Sequence, residues 1–159
     1  MADSDARTGF GALLQRQVSG GENPTYADIL GIKSISGPSI TRDTHDTTTM
    51  NSANFREYIG GLADAGEVSF SANWLPRDPT QGQDTGGFMA EFDKGSCASR
   101  GRWRIVIPGC PGEPEVYLEF DGIVTGQNID IPMDDLMSFE GTIKVSGRPV
   151  LVIEEITGT

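Results

Sequence analysis

The sequence predicts a mainly β protein: an antiparallel β-sandwich or barrel with one or two short flanking α-helices and a long protruding β-hairpin loop. Three observations predict this fold class. Several segments alternate apolar and polar residues, as strands with one buried face do. The 159 residues include 21 Gly and 9 Pro, which is typical of many turns between short strands. Only two short segments have a helical period.

The strands are predicted from this alternation, in order along the chain. A first strand runs through residues 26–37, and a second through 67–75, with Val68, Phe70, Ala72 and Trp74 on one face. Three later strands point these residues inward: Trp103, Ile105 and Ile107; Val116, Leu118, Phe120 and Val124; Met137, Phe139, Ile143 and Val145. A last strand follows, VLVIEEI. We expect a single domain over residues 1–159, with residues 1–24 as an N-terminal arm.

Two short helices are predicted beside these strands. The first begins near Asn54, where Glu57 three residues later resembles a capping box. Its core-facing stripe follows the i, i+3, i+4, i+7 spacing: Phe55, Tyr58, Ile59 and Leu62. The second lies across residues 85–95, with Phe88, Met89 and Phe92 buried and Gly95 as its end.

Residues 39–52 are rich in Thr, a strand former, yet neither alternate face is apolar. The residues concerned are Arg42, Asp43, Thr44, His45, Asp46, Thr47 and Thr48. A strand that is polar on both faces has no place on the core of its own domain. We therefore expect this segment to protrude.

The formal net charge is −11, from 23 acidic and 12 basic residues. Such a surface repels a phosphate backbone, which argues against nucleic-acid binding through a basic patch. The apolar runs are a few residues long, so none is predicted to span a bilayer, and the N-terminus lacks the pattern of a secretory signal.

The sequence offers few groups for chemistry. His45, between Asp43 and Asp46, has no known metal-ligand spacing, and a solvated or interface loop is the simpler interpretation. Cys97 and Cys110 lack CxxC spacing and are interpreted as free thiols. Three aspartates, Asp130, Asp134 and Asp135, lack the glycine-punctuated spacing of a calcium loop. We therefore expect no catalytic, cofactor or metal site.

Several stretches together resemble the tail tube proteins of long-tailed bacteriophages. In order, they are TGFGALLQR, LGIKSISGPSI, HDTTTMNSANFREYIGGLADAGEVSFSANW, GRWRIVIPG and FDGIVTGQNIDIPMDDLMSFEGTIKVSGRPVL. They cover most of the chain. The FREYIGGLADAGEVSF block and the block at 120–151 are the most specific.

This resemblance implies a subunit that forms hexameric rings, which stack into a hollow tube for DNA delivery. Residues 42–48 match the hairpin that contacts the adjacent ring. The resemblance also implies a tape measure protein and terminator or baseplate proteins as partners, assembly in the host cytoplasm, and a place in the virion tail. Some relatives carry an immunoglobulin-like domain after the tube domain; none is expected here.

The charge suggests an acidic channel through which DNA passes without specific binding. Candidate lumen residues are the polar-phase acids Glu67, Glu119 and Glu140, with Lys144 on the same strand face as Glu140. Two alternatives stay open: the tube subunit of a contractile injection or secretion system, and a monomeric β-sandwich module that binds a ligand.

Overall fold

A computed structural model describes residues 7–83 and 86–154. Within these residues the chain forms nine strands and one short 3₁₀ helix, Met89–Asp93. The strands are β1 (Leu13–Ser19), β2 (Thr25–Asp28), β3 (Ile32–Ser36), β4 (Thr41–Asp46), β5 (Tyr58–Asp64), β6 (Glu67–Asn73), β7 (Arg100–Ile107), β8 (Glu115–Asp130) and β9 (Ser138–Glu154).

Seven strands form one antiparallel sheet in the order β2-β1-β7-β8-β9-β6-β3, and β4 and β5 form a separate hairpin. The two outer strands of the large sheet, β2 and β3, are joined by only three residues, 29–31. Within this link the Ile29 N–H donates to Leu14 O on β1, and the Asn73 N–H on β6 donates to Gly31 O. The sheet must therefore curl until its two edges meet, as in a barrel.

The core lies inside this curl. Leu14, Trp103, Phe139 and Ile143 are fully buried there, because alternate residues of each strand point to the concave face. Phe88, just before the 3₁₀ helix, packs edge-on against Phe70, with ring centroids 4.9 Å apart, and also contacts Trp103 and Phe139. The segment that carries Phe88 thus fills the inside of the curled sheet.

A buried ion pair holds the same segment in place. Arg16 on β1 contacts Glu91 Oε1 through Nη1 at 2.8 Å, and Lys94 Nζ contacts the same oxygen at 2.8 Å. Arg16 also donates to Gly87 O at 3.0 Å. Both partners are buried, with Arg16 at 8% and Glu91 at 3% exposure. Each charge has lost its hydration, and the contact with the opposite charge compensates for that loss.

The fold class is confirmed, but the predicted first helix is wrong. Residues 58–64 form the strand β5 instead. The four residues expected on the buried stripe of the helix are exposed: Phe55 at 83%, Tyr58 at 53%, Ile59 at 57% and Leu62 at 87%. The paired glycines of this segment are poor helix formers, and Tyr and Ile suit a strand. The Thr-rich β4 supplies the partner strand. The second predicted helix is the 3₁₀ helix, and no α-helix occurs in the described ranges.

The N-terminal region also differs from the prediction. Residues 1–6 of the predicted arm lie outside the described residues, whereas Leu13–Ser19 form β1, which lies between β2 and β7 inside the sheet. The first predicted strand is two strands, β2 and β3, separated by the link at 29–31. Of the predicted inward residues, Ile107, Met137 and Phe92 remain 36–45% exposed.

Candidate functional site

The hairpin β4–β5 lies outside the large sheet, and every residue of β4 is exposed. Its register pairs Thr41 with Asp64 at the root and Asp46 with Tyr58 towards the tip. The predicted contact residues 42–46 therefore lie on β4 itself, and 47–48 begin the tip loop. The three large apolar residues of β5, Tyr58, Ile59 and Leu62, are 53–87% exposed and have no core to cover them.

Hydrogen bonds order the tip of the hairpin. The Thr47 N–H donates to Glu57 O at 2.8 Å, and the Glu57 N–H donates to Thr48 Oγ1 at 2.8 Å. Ser52 Oγ donates to Glu57 Oε2 at 2.9 Å. Hydrogen bonds from the Thr48 side chain and backbone hold the pKa of Asp46 below its ordinary value. The polar residues of 39–52 therefore form the hydrogen bonds that give the tip loop a defined conformation.

The paired glycines in β5 let β4 side chains lie across it. A Cβ on Gly61 would come within 2.8 Å of His45 Nε2, and one on Gly60 within 3.1 Å of Arg42 Cδ. Larger residues at these positions would displace both side chains. The only His of the chain is therefore an exposed hairpin residue packed over a glycine.

The hairpin meets the sheet at a root where two backbones cross. Gly66 has φ +72°, and a Cβ there would meet Ser39 O, so glycine is required. The Val145 N–H of β9 donates to Gly66 O at 3.0 Å. Lys144 Nζ lies 3.1 Å from both carboxylate oxygens of Asp64. Beside this root lies a groove of about 1000 Å³ between the hairpin and residues 145–149.

The predicted lumen residues share the outer, convex face of the sheet. Glu67 on β6 pairs in register with Lys144 on β9, and Glu140 lies on the same face of β9, opposite Ser71. Glu67 and Glu140 are exposed. Glu119 lies on this face of β8 but is half-buried and in ionic contact with Arg104 at 3.6 Å. The structure therefore groups three of the four candidates and sets Glu119 apart.

Glu119 belongs to a cluster that the sequence did not predict. The Arg104 guanidinium lies 3.6 Å from the ring centre of Tyr26 and 4.2 Å from that of Tyr117, a double cation–π contact. The Tyr26 hydroxyl donates to Glu119 at 3.0 Å, and that of Tyr117 to Glu154 at 2.8 Å. Burial, then the Glu154 contact, raises the pKa of Tyr117 to about 12. This cation is neutralised within the subunit.

Reactive groups are dispersed. Cys97 and Cys110 are free and exposed. In the described ranges, no three or more His, Cys, Asp or Glu side chains are arranged to hold a metal ion. No helix found in those ranges has the length and apolar character needed to cross a membrane.

Large apolar side chains are instead exposed at several places, and three of these carry groups of them. They lie on the hairpin, on the loop 131–137 between β8 and β9, and on the last residues of β9; examples are Met133 at 100%, Leu136 at 70% and Ile153 at 59% exposure. Scattered apolar residues are common on surfaces, but clusters of this kind mark protein–protein contacts.

A curled antiparallel sheet with an exposed hairpin and several apolar surface clusters defines a structural protein built for assembly. A family model described as "Lambda phage tail tube protein, TTP" matches residues 17–152, and the chain belongs to this family. It is a structural subunit of a phage tail tube and a component of the virion tail. The resemblance noted in the sequence is thereby confirmed.

Individual proteins show the same relationship. "Structural protein 3" of Pseudomonas phage PAJU2 is 27% identical over 135 residues, which cover 76% of this chain and 79% of that protein. The tail of an empty gene transfer agent particle, with C6 symmetry, has a TM-score of 0.67 at 18% identity, covering 92% and 99% of the two chains. The sheath/tube terminator of an extracellular contractile injection system (PVC) has a TM-score of 0.70 at 10% identity, covering 95% and 99%. At these identities, the similarity to the two solved structures shows that this chain shares their fold.

Proposed function

We propose that this chain forms rings of six subunits that stack into a hollow tube, with the β4–β5 hairpin as the contact between rings. The observation that carries the proposal is the hairpin itself. It is an ordered two-stranded sheet that is separate from the large sheet and carries exposed apolar residues. Isolated two-stranded hairpins are only marginally stable in water, so we expect contact with a partner surface to stabilise this one. The C6 symmetry of the similar gene transfer agent tail supports the ring size.

The inter-ring contact uses both sides of the hairpin. Its β4 side offers Arg42, Asp43, Thr44, His45 and Asp46, with Thr47 and Thr48 at the tip, for hydrogen bonds and ion pairs. Its β5 side offers the apolar Tyr58, Ile59 and Leu62. These β5 residues, first assigned to a core helix, thereby gain a role in assembly.

The outer sheet face around Glu67, Glu140 and Lys144 is the proposed wall of the channel. Its neighbours on β6 are Ser69 and Ser71, so the face carries hydroxyl groups and acids. The Lys144 charge is engaged by Asp64 and is less available to a phosphate. DNA would meet this face without the counterion release that makes basic surfaces adhesive.

The proposed partners are other copies of this chain, a tape measure protein, and terminator and baseplate proteins at the tube ends. A chain with this fold occurs in the structure of a sheath/tube terminator, and this supports partners of that kind at the tube end. We propose that the subunit has no catalytic activity and that viral DNA passes without specific binding.

A hairpin replacement tests this function. Thr41 and Asp64 are cross-strand partners, so residues 42–63 can be replaced by a two-residue Asn-Gly turn between them. The variant should keep the secondary structure of the large sheet by circular dichroism but form no long tubes in negative-stain microscopy. Wild-type protein at the same concentration provides the reference.

A conservative variant serves as the matched control. Thr48→Ser keeps the hydroxyl that bonds Glu57 and should leave tube length unchanged. Tubes of normal length from the hairpin replacement would refute the inter-ring role of the hairpin.

A further inference from the structure

The groove beside the root of the hairpin, which we call the root groove, has two walls. One wall is the hairpin root, residues 40–43 and 62–65, and the other is residues 145–149 of β9. Ile40 and Leu62 line it and are 61% and 87% exposed, although both are large and apolar. Clustered apolar side chains on an exposed concave surface are typical of contact with another molecule.

Two cations of the root groove have no acidic partner. Arg42 on β4 and Arg148 on β9 both line it, and neither forms an ion pair with another described residue. Of the two acids that line it, Asp64 is engaged by Lys144, so Asp43 alone opposes the two arginines. The root groove is therefore positively charged in a chain whose formal net charge is −11. An occupant that complements it is acidic and partly apolar.

The loop between β8 and β9 has this composition. The two strands are paired as far as Asp130 and Ser138, so residues 131–137 extend beyond the last pair. Asp134 and Asp135 are exposed on this loop and form no ion pair with another described residue. Three apolar side chains beside them are also exposed: Ile131 at 63%, Met133 at 100% and Leu136 at 70%.

The loop and the root groove of one copy are too far apart to meet. Val145, in the wall of the groove, pairs with Gly122 on β8, whereas the loop begins after Asp130. The strand between these two positions is roughly 25 Å long, at about 3.3 Å per residue. Two copies can satisfy both surfaces, because the loop of one can enter the groove of the other. The two surfaces differ, so this contact is of the head-to-tail kind from which rings are built.

We propose that the root groove binds the acidic loop, residues 131–137, of a second copy of this chain. The two acids of the loop then meet the two unpaired arginines, and its apolar side chains cover the apolar walls. The proposal rests on the proposed ring and adds a contact between neighbours that is separate from the contact between rings.

The bound loop also acts on the hairpin, because the hairpin forms one wall of the groove. An occupant that touches both walls joins the hairpin to β9 and limits its movement. A copy whose groove is filled therefore holds its hairpin in a fixed direction, whereas a copy without a neighbour does not. Ring closure in this way prepares the hairpins for contact with the next ring.

Cross-linking between copies tests the contact. One preparation carries Ile40→Cys and the other Met133→Cys, at two exposed positions, both in a Cys97→Ser, Cys110→Ser background. One preparation is isotopically labelled, and the two are mixed under assembly conditions with a short bismaleimide. Dimers of one labelled and one unlabelled copy should form. As the matched control, a protein that keeps the exposed Cys110 and lacks Met133→Cys should give no such dimer with Ile40→Cys.

The linked dimer then measures the effect on the hairpin. Diluted below the concentration needed for assembly, it has one filled groove, in the copy with Ile40→Cys, and one empty groove. Hydrogen exchange followed by mass spectrometry should be severalfold slower at residues 58–64 of the filled copy. The isotopic label distinguishes the two copies, so the empty copy is an internal control.

Three results would overturn the proposal. Equal exchange in the two copies would refute the effect of the loop on the hairpin. Tubes that form without the mixed dimer would refute the loop contact and leave the proposed function intact. A wild-type protein that stays monomeric at every concentration would refute the proposed function and this proposal together.

A charge exchange between copies gives a second, independent measurement. Arg148→Glu alone, and Asp134→Arg with Asp135→Arg, should each raise the protein concentration needed for assembly by about tenfold or more, because like charges then meet. An equimolar mixture of these two variants should assemble near the wild-type concentration, since each loop finds a groove of opposite charge. Lys33→Glu, an equal change of charge at an exposed position of β3, is the matched control and should assemble normally. A mixture as impaired as its components would refute the contact and indicate a different occupant.

Discussion

Lys144 on β9 holds Asp64 on β5 through both carboxylate oxygens, each 3.1 Å from Nζ. Among the described residues this is the one ion pair between the hairpin and the large sheet. Asp64 also accepts the Gly66 N–H at 2.8 Å. This ion pair and the hydrogen bond from the Val145 N–H to Gly66 O therefore both hold the root of the hairpin against the sheet.

This root should respond to acid. The Gly66 N–H first, and then Lys144, hold the pKa of Asp64 below its ordinary 3.8. A lowered carboxylate pKa stabilises the folded arrangement above the ordinary value, and this is lost as pH falls through the folded pKa. The hydrogen-exchange protection factors at the hairpin root, which correct for the intrinsic pH dependence of exchange, should therefore hold down to about pH 4 and fall below it. Asp64→Asn should remove this step, and a step of the same size in the variant would contradict the assignment.

Burial separates two phenylalanines that the sequence treats alike. Phe88→Ala should lower the free energy of unfolding by about 3–5 kcal/mol, because its fully buried ring contacts three other aromatic rings. Phe55→Ala is the matched control and should change it by less than about 0.5 kcal/mol, since that ring is 83% exposed. Urea unfolding of the unassembled subunit measures both. A large loss of unfolding free energy from Phe55→Ala would mean that this ring is buried, as the predicted helix requires.

Replacing one residue of the buried pair Arg16 and Glu91 should lower the free energy of unfolding more than replacing both residues by apolar ones. Arg16→Met leaves a carboxylate that is 3% exposed with only Lys94 beside it, and should cost about 3–5 kcal/mol. Adding Glu91→Leu should recover much of that loss, because no unpaired charge then remains buried. Lys94→Met, whose side chain is 39% exposed, should cost less than about 1 kcal/mol. Additive losses in the double variant would mean that the two residues act separately.

The outer sheet face should control the speed of DNA passage. Glu67→Lys with Glu140→Lys should leave tubes intact but slow DNA ejection from virions, and more so at low salt, because cationic contacts to phosphates are screened as salt rises. Ejection is followed with a dye that binds released DNA. Glu22→Lys, in the turn between β1 and β2, is the control for the single variant Glu67→Lys, which changes the net charge by the same amount. Normal ejection at every salt concentration would exclude this face as the channel wall.

The strands of the large sheet could be predicted because their alternation records a property of the final fold, one buried face. The alternation predicts that Val68, Phe70 and Ala72 point inward, and they are buried, as are Trp103 and Ile105. The same logic failed at residues 55–62. Apolar residues there have helical spacing, but Phe55 precedes β5 and the other three are exposed on β5, which forms by pairing with β4.

The charged and aromatic clusters could not be predicted, because their members are far apart in sequence. Arg16 and Glu91 are separated by 75 positions, and Tyr26 and Arg104 by 78. In the sequence, nothing about these residue types indicates that they contact each other, because the contacts form only when the sheet curls. The register of β1 against β7 brings Gln15 opposite Arg104, and β2 then places Tyr26 nearby. A single sequence carries no signal for these long-range pairings.

The three-residue link between β2 and β3 has a consequence for how the chain folds during synthesis. β1 pairs with β7 and β3 pairs with β6, on the two sides of a sheet whose centre is formed by the later strands β8 and β9. The first strands to leave the ribosome therefore wait for the last ones, and contacts of this kind slow folding. We therefore expect subunits to become competent for assembly only after translation of β9. Nascent chains, which lack that strand, would be excluded from the growing tube.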